Sequence, residues 1–419
     1  MRRFLAPLLA GCCLLLSPAA VSAQSTASAQ RVLRSALSRS LRAAHGASGA
    51  YVIDLTAHRA LFSAAPGTPR IPASVEKLYT TSTALLRFGP NANLVTSILG
   101  SGAFDSTGGW NGTLYLKGGG DPTFGSASYD NFAYGTGATM QRLVSSLIRQ
   151  SGITSVHGPI VGDESYFDSL RGTPATGFRV SSDVEGLLSG LAYDRGLADE
   201  QGTAFQAHPA LFTAQRLATA LRSARVAVPA QTRIYSGAAP IGARLLATVH
   251  SPRMATLIQL TNTPSDNFFA EMLLKDVGAR FGGRGSTAAG AAVVRAQLAQ
   301  SFGIHPRLED GSGLSRNDLT SPRDIVTLLS SMAPNTAFVK SLSVAGVSGT
   351  LQAGLQGTAA QGRCRGKTGT LHDVANLVGL CTARDGHQLA FAFLMNSVDP
   401  VNGHALEDQM AVAVAKYAG

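Results

Sequence analysis

Residues 362–396, GRCRGKTGTLHDVANLVGLCTARDGHQLAFAFLMN, read as three consecutive strands. The runs Gly362 to Leu371, Ala375 to Thr382 and Gln388 to Asn396 are bounded by turn residues and rich in strand formers. Cys364 and Cys381 are equidistant from a turn near His372-Asp373. Antiparallel pairing about that turn puts the two thiols opposite one another and predicts a disulfide, against the alternative of two buried, inert thiols. Closing a loop of about 17 residues this way is worth about 3 kcal/mol in the chain-entropy model.

Working outward, the front of the chain offers a matching pair of strands. Ala50 to Leu55, a turn at Thr56-Ala57-His58-Arg59 and Ala60 to Ser63 predict a hairpin. Helical spacing covers Val32 to Ala44, and Ser74 to Phe88 reads as a helix stopped by Gly89-Pro90. Further helices are expected at Ser251 to Asn262, Ser265 to Phe281, Ala288 to Phe302, Ser321 to Met332 and Gly403 to Tyr417. Two strands at the start and three at the end, with helices between, predict one α+β domain whose sheet joins both termini. Gln24 to Gln30 is read as a frayed polar arm.

Residues 93–247 differ in character. They are rich in Gly and Ser, with short strand-like pieces at Leu94 to Leu99, Thr113 to Lys117 and Gly158 to Val161, and helical patches at Met140 to Gln150 and Ala210 to Ala224. This segment reads as an inserted β-rich module, leaving 24–92 and 248–419 as the two parts of the main domain.

The chain has 419 residues, 45% apolar and 14% charged, with 46 Gly and 18 Pro. That excludes disorder throughout and a fibrous fold. The net charge is +10, from 35 basic and 25 acidic residues, yet no Lys/Arg run reaches five. A nucleic-acid partner is therefore not expected, whereas a diffuse positive field tolerates anionic polymers such as cell-wall components. Arg2 and Arg3, the apolar run Phe4 to Leu16 and the small residues Val21-Ser22-Ala23 read as a cleaved secretory signal over 1–23. The run is too short, and too broken by Pro7 and Pro18, for a membrane anchor. Cys12, inside the run rather than at its end, is poorly placed for lipidation. The mature chain is thus expected to be exported, to the periplasm or the cell-wall side, without stable membrane insertion. The nine histidines form no His-x-x-x-His or Cys/His cluster, so no metal and no cofactor is expected.

Three short patterns follow in order: Ser74-Val75-Glu76-Lys77, Ser265-Asp266-Asn267 and Lys367-Thr368-Gly369. With six lysines, the Lys-Thr-Gly triple is expected about 0.05 times by chance and occurs once. Ser74 and Lys77, three residues apart at a helix start, share one face, so the amine reaches the hydroxyl. A lysine activates a serine only when its pKa is lowered toward neutrality by burial and a neighbouring cation, for which Lys367 is the candidate. Ser265 would relay a proton, and Asn267 would hold Lys77 and a substrate amide. The bland readings are a helix cap for Ser74, an N-cap for Ser265, and solvated side chains for Lys77 and Lys367. Ser315-Arg316-Asn317 is a rival second motif.

Together with Gly118-Gly119-Gly120-Asp121-Pro122, Gly162 to Asp168, Asp310 to Arg316 and Lys367 to Leu371, the trio resembles the type-4, class C low-molecular-mass penicillin-binding proteins, which are D-alanyl-D-alanine carboxypeptidases and endopeptidases. The resemblance spans about residues 32–415. It implies a transpeptidase-like antiparallel sheet flanked by helices, with a domain inserted where 191 residues separate Ser74 from Ser265. It implies a penicillin-sensitive serine peptidase acting on peptidoglycan stem peptides, with Ser74 as the acyl-forming residue, Lys77 as base and Ser265 and Asn267 in the second motif. Lys367 and Thr368 would hold the substrate carboxylate, with Gly369 between them and Thr370, whose N–H joins that of Ser74 in an oxyanion hole. The short insert weakens the endopeptidase expectation. Asp163, Tyr166 and Asp168 are candidates to line a stem-peptide subsite, with packing or turn roles as the equal alternative. The alternatives are a serine β-lactamase or esterase, for which Glu271 to Lys275 lacks the Glu-x-x-Leu-Asn pattern, and a non-catalytic penicillin-binding sensor.

Overall fold

Residues 18–199 and 202–419 are described by the computed structural model. Most of the expected signal, including Cys12, lies outside the described residues. In chain order, the elements that position the site begin with helix α1 (Pro18–Ala43), strands β1 (Ala47–Asp54) and β2 (Arg59–Ala64) and helix α2 (Lys77–Phe88). The middle of the chain gives β3 (Val95–Phe104), β4 (Gly109–Lys117), α3 (Met140–Ser151), β5 (Ile160–Asp163), α4 (Pro209–Ser223), β6 (Ile234–Ser236) and β7 (Arg244–His250). Then come α5 (Met254–Asn262), α6 (Asn267–Phe281), α7 (Thr287–Phe302), α8 (Pro322–Met332), β8 (Ser343–Val344), β9 (Cys364–Leu371), β10 (Val374–Thr382), β11 (Gln388–Asn396) and α9 (Pro400–Ala415).

The first and last strands form one antiparallel sheet in the order β8-β9-β10-β11-β1-β2. Strand β11 pairs with β1 along its length, from Ala47 opposite Asn396 to Asp54 opposite Leu389. The two ends of the chain thus share one sheet, as the α+β reading requires. Strand β9 turns directly into β10, with Leu371 opposite Val374 and Cys364 opposite Cys381, and those cysteines are bonded.

Side chains alternate across each strand, so β11 feeds two cores. Leu389, Phe391, Phe393 and Met395 pack with Leu33 and Leu37 of α1 and Met410 and Val414 of α9. Ala390, Ala392 and Leu394 face the other way, toward Leu78 and Tyr79 of α2, Phe269 and Leu273 of α6 and Ile325 and Leu329 of α8. Burying each of the larger of these side chains contributes about 1.5–3 kcal/mol. This second layer carries the catalytic candidates.

Gln24 to Gln30 is helical rather than frayed, as part of α1, whose later turns are docked. Leu33 and Leu37 are buried, and the Gln30 and Arg34 side chains donate to the Leu61 carbonyl, so tertiary contacts extend the helix into residues of indifferent propensity.

A second sheet, ordered β7-β3-β4-β5-β6, is built from residues between α2 and α5. The parallel pairs β4/β5 and β5/β6 need crossovers, supplied by the segments that contain α3 and α4. This sheet has its own core around Trp110, Leu114, Leu143, Leu147, Leu217 and Leu221. Among the described residues, no helix is long and apolar enough to cross a membrane.

Candidate active site

Ser74 lies in a single 3-10 turn, Ala73–Glu76, that leads into α2. Residues three apart eclipse one another in such a turn. Accordingly Lys77 Nζ donates to Ser74 Oγ at 2.9 Å. The turn is pinned from the sheet: Asn376 Nδ2 donates to the carbonyls of Ile71 and Pro72 at 3.0 and 2.8 Å, and Asn396 Oδ1 accepts the Ile71 N–H at 2.8 Å. Two glycines let other segments approach it. A Cβ on Gly369 of β9 would lie 2.4 Å from the Pro72 carbonyl, and one on Gly313, at φ 82°, would lie 1.9 Å from that of Ala73. Ala73 itself is at φ 48°, a conformation that L residues rarely adopt.

Lys77 is fully buried. Besides Ser74, its amine donates to Asn267 Oδ1 at 2.6 Å and to the Ser312 carbonyl at 2.8 Å, which uses all three protons of an ammonium. Once one proton is lost, the same 2.9 Å contact lets the Ser74 hydroxyl donate to the amine. Burial pushes Lys77 down from 10.5 to about 8, with Asp310, Asp266, Glu185 and Glu271 opposing it. Burial is therefore the leading cause, where the sequence pointed also to a second cation. Lys367 is buried as well, and both that burial and the charge of Lys77 hold it well below the ordinary lysine range.

Ser265 precedes α6 at φ 70°, and its hydroxyl accepts from Lys367 Nζ at 2.8 Å. It is not the helix cap. Asp266 fills that role, accepting the Phe269 N–H at 2.8 Å, because the left-handed backbone at Ser265 turns its hydroxyl toward Lys367. Such strain persists only where the surroundings hold it. Here the second-sheet segment does so. Arg195 forms a bidentate pair with Asp266, Glu185 accepts the Asn267 N–H at 2.9 Å, and the Asp183 carbonyl accepts Asn267 Nδ2 at 2.7 Å. The last bond fixes which end of the amide faces Lys77.

Strand β9 completes the site. Lys367 Nζ also donates to the Thr368 carbonyl, the Thr368 hydroxyl donates to Thr350 Oγ1 at 2.9 Å, and the exposed Thr370 has its hydroxyl 3.0 Å from His404 Nε2. The Glu407 carboxylate hydrogen-bonded to His404 raises that imidazole above its ordinary pKa.

Other sequence candidates fall elsewhere. Ser315 and Asn317 both bind Glu309, so the rival second motif organises its own loop. Asp163 is buried, accepting the N–H groups of Ser165 and Ala239, and Tyr166 stacks on Phe167, which suits packing rather than a subsite. Asp168 is paired with the buried Lys275 at 2.7 Å. Asn376, Asn396, Glu185 and Arg195 went unread in the sequence, since no local pattern ties them to residues so distant along the chain. Among the described residues, no three His, Cys, Asp or Glu side chains converge as metal ligands.

The family model described as D-Ala-D-Ala carboxypeptidase 3 (S13) matches residues 33–178 and 195–417. A D-alanyl-D-alanine carboxypeptidase of Actinomadura sp. strain R39 is 29% identical over 89% of this chain and 82% of its own length. A carboxypeptidase of Mycobacterium tuberculosis is 30% identical over 86% of this chain and 78% of its own. In fold, the chain is similar to penicillin binding protein 4 from Haemophilus influenzae, with a TM-score of 0.73 at 20% identity, covering 90% of this chain and 97% of that one.

Proposed function

The chain belongs to the D-Ala-D-Ala carboxypeptidase 3 (S13) family, and on that footing we propose that it is a serine-type D-alanyl-D-alanine carboxypeptidase working through an acyl-enzyme on Ser74. The observation that carries the reading is the 2.9 Å contact between Ser74 Oγ and an amine whose pKa lies at about 8.

In this reading Lys77 removes the Ser74 proton as Oγ attacks the carbonyl carbon between the two D-alanines. The oxyanion is received by the backbone N–H groups of Ser74 and Thr370. The leaving nitrogen takes a proton along the Lys77, Ser265 and Lys367 group, and D-alanine departs. Water, deprotonated by Lys77, then cleaves the ester and restores the serine. The net change is peptide plus water giving shortened peptide plus D-alanine.

Lys367 with Thr368 and Ser265 receives the terminal carboxylate. Two amines in one dry cleft do not both hold a proton cheaply. An arriving carboxylate favours charge on Lys367, whose repulsion then favours the free base on Lys77, so substrate binding itself prepares the catalyst. The N-terminal signal pattern and the disulfide support export to an oxidising compartment on the wall side of the membrane, where peptidoglycan stem peptides and β-lactams are met.

The test is labelling with a fluorescent penicillin, followed by D-alanine release from a muramyl pentapeptide and cleavage of cross-linked muropeptides read by mass. Label and D-alanine release both lost in Ser74→Ala support the reading. Label that survives this substitution refutes it, and β-lactam turnover without D-alanine release points to a lactamase instead.

A further inference from the structure

Glu271 lies four residues after Asn267, on the same face of α6. Asn267 meets Lys77 directly. Glu271 meets it through a loop: Glu271 Oε1 accepts the backbone N–H groups of Gly311 and Ser312 at 2.9 and 2.8 Å, and the Ser312 carbonyl accepts from Lys77 Nζ at 2.8 Å. Thr80, one turn along α2 from Lys77, donates to the Gly311 carbonyl at 2.9 Å. Glu271, Lys77, Thr80 and Ser312 are all fully buried. Two anchors on successive N–H groups fix the orientation of this stretch of backbone, and with it the carbonyl that holds the amine.

Packing alone does not account for the arrangement. Glu271 shares its pocket with the buried carboxyl groups of Glu76, Asp310 and Asp318, and a leucine would fill the volume without their desolvation cost. Among the described residues, neither oxygen of Glu76 has a hydrogen-bond partner, whereas Oε1 of Glu271 has two.

We infer that Glu271 is a positioning residue for Lys77, acting through the placement of its oxygen rather than through its charge: it holds the Ser312 carbonyl where one proton of the Lys77 ammonium is received, and so sets where the amine stands relative to Ser74. The inference rests on the proposed acyl-enzyme reading. Burial, and next to it the charge of Asp310, push the Glu271 carboxyl above the ordinary carboxylate range, which agrees with a role for the oxygen rather than for the charge. The groups facing Lys77 are Glu76 on its own turn, Asp310 on the loop, Glu271 and Asp266 from α6, Glu185 from the second-sheet segment, and Lys367 from β9.

The test compares wild type, Ser74→Ala, Glu271→Gln, Glu271→Asp and Thr80→Val by the rate of fluorescent-penicillin acylation across pH, normalised to the fraction of competent enzyme from end-point labelling. Glu271→Gln keeps an oxygen at the same reach and is expected within about threefold of wild type. Glu271→Asp keeps the carboxyl group but falls short by one methylene, and is expected to lose at least about thirtyfold at the plateau. Its rising limb should also move toward acid, because the ammonium loses an acceptor that favours it. Thr80→Val, which loosens the same loop from the other side, should show a smaller shift of the same sign, and it decides the matter if Glu271→Asp does not fold. A folded Glu271→Asp with wild-type plateau and profile overturns the inference. So does Glu271→Gln as impaired as Glu271→Asp, or unable to fold, and so does an unchanged profile in Thr80→Val. Failure of the underlying reading looks different: wild type is then unlabelled, or Ser74→Ala is labelled.

Discussion

If Lys77 is the base, acylation should follow its free-amine fraction, and pH is the cleanest perturbation. A group with a pKa of about 8 is a free base for about one molecule in a hundred at pH 6, one in ten at pH 7 and nine in ten at pH 9. The second-order rate constant for acylation should therefore rise about tenfold from pH 6 to pH 7, and about ninetyfold in all before flattening near pH 9. An ordinary lysine at 10.5 would supply about 0.03% free base at pH 7, so the burial that lowers Lys77 makes about 300 times more base available, equivalent to about 3 kcal/mol. Stopped-flow mixing with a chromogenic or fluorescent β-lactam, with intact-protein mass to confirm one adduct per chain, gives the profile. Lys77→Arg, whose guanidinium stays protonated throughout, should fall by about a thousandfold or more and lose the rising limb. A flat wild-type profile, a midpoint near that of an ordinary lysine, or Lys77→Arg acylating within about tenfold of wild type would refute the reasoning.

Gly369→Ala would place a Cβ 2.4 Å from the Pro72 carbonyl, pushing β9 off the nucleophile turn. Acylation should drop by about a hundredfold with thermal stability lowered by only about 1–3 kcal/mol, and retained acylation would show that the close approach is dispensable. Replacing Cys364 and Cys381 together by serine should cost about 3 kcal/mol in urea unfolding, given a sequence separation of 17 residues. An unfolding midpoint of the wild type that ignores reductant would contradict this. Arg195→Met leaves the nearly buried Asp266 without its partner and should cost about 3 kcal/mol. Acylation per competent molecule should fall with it, since Asp266 stands between Ser265 and Asn267; a stability loss without a rate loss would separate the second-sheet segment from the chemistry.

What could be read from the chain alone is what adjacent residues settle between themselves. The β9/β10 register follows from a short turn and two equidistant cysteines, and the Ser74/Lys77 contact follows from three residues of spacing within one turn. The Ser265 cap could not be decided that way, because Ser265 and Asp266 are both good capping residues, and the choice depends on a left-handed backbone held by Arg195, Glu185 and Lys367 from other parts of the fold. The helix over Gln24 to Gln30 is not legible locally for a similar reason: the α1 turns that hold it are docked through Leu33, Leu37 and the Gln30 and Arg34 side chains, not by propensity.

The types and order of the reactive residues are thus a property of the sequence, while their reactivity belongs to the tertiary structure. Desolvation, which brings Lys77 to about 8, exists only once α2, α6 and the Asp310 to Arg316 loop close around the amine. The same holds for the Asn376 and Asn396 contacts to Ile71 and Pro72, more than 300 residues away along the chain. Hydrogen bonds and burial act over a few ångströms of space, and only the folded sheet turns that sequence distance into contact.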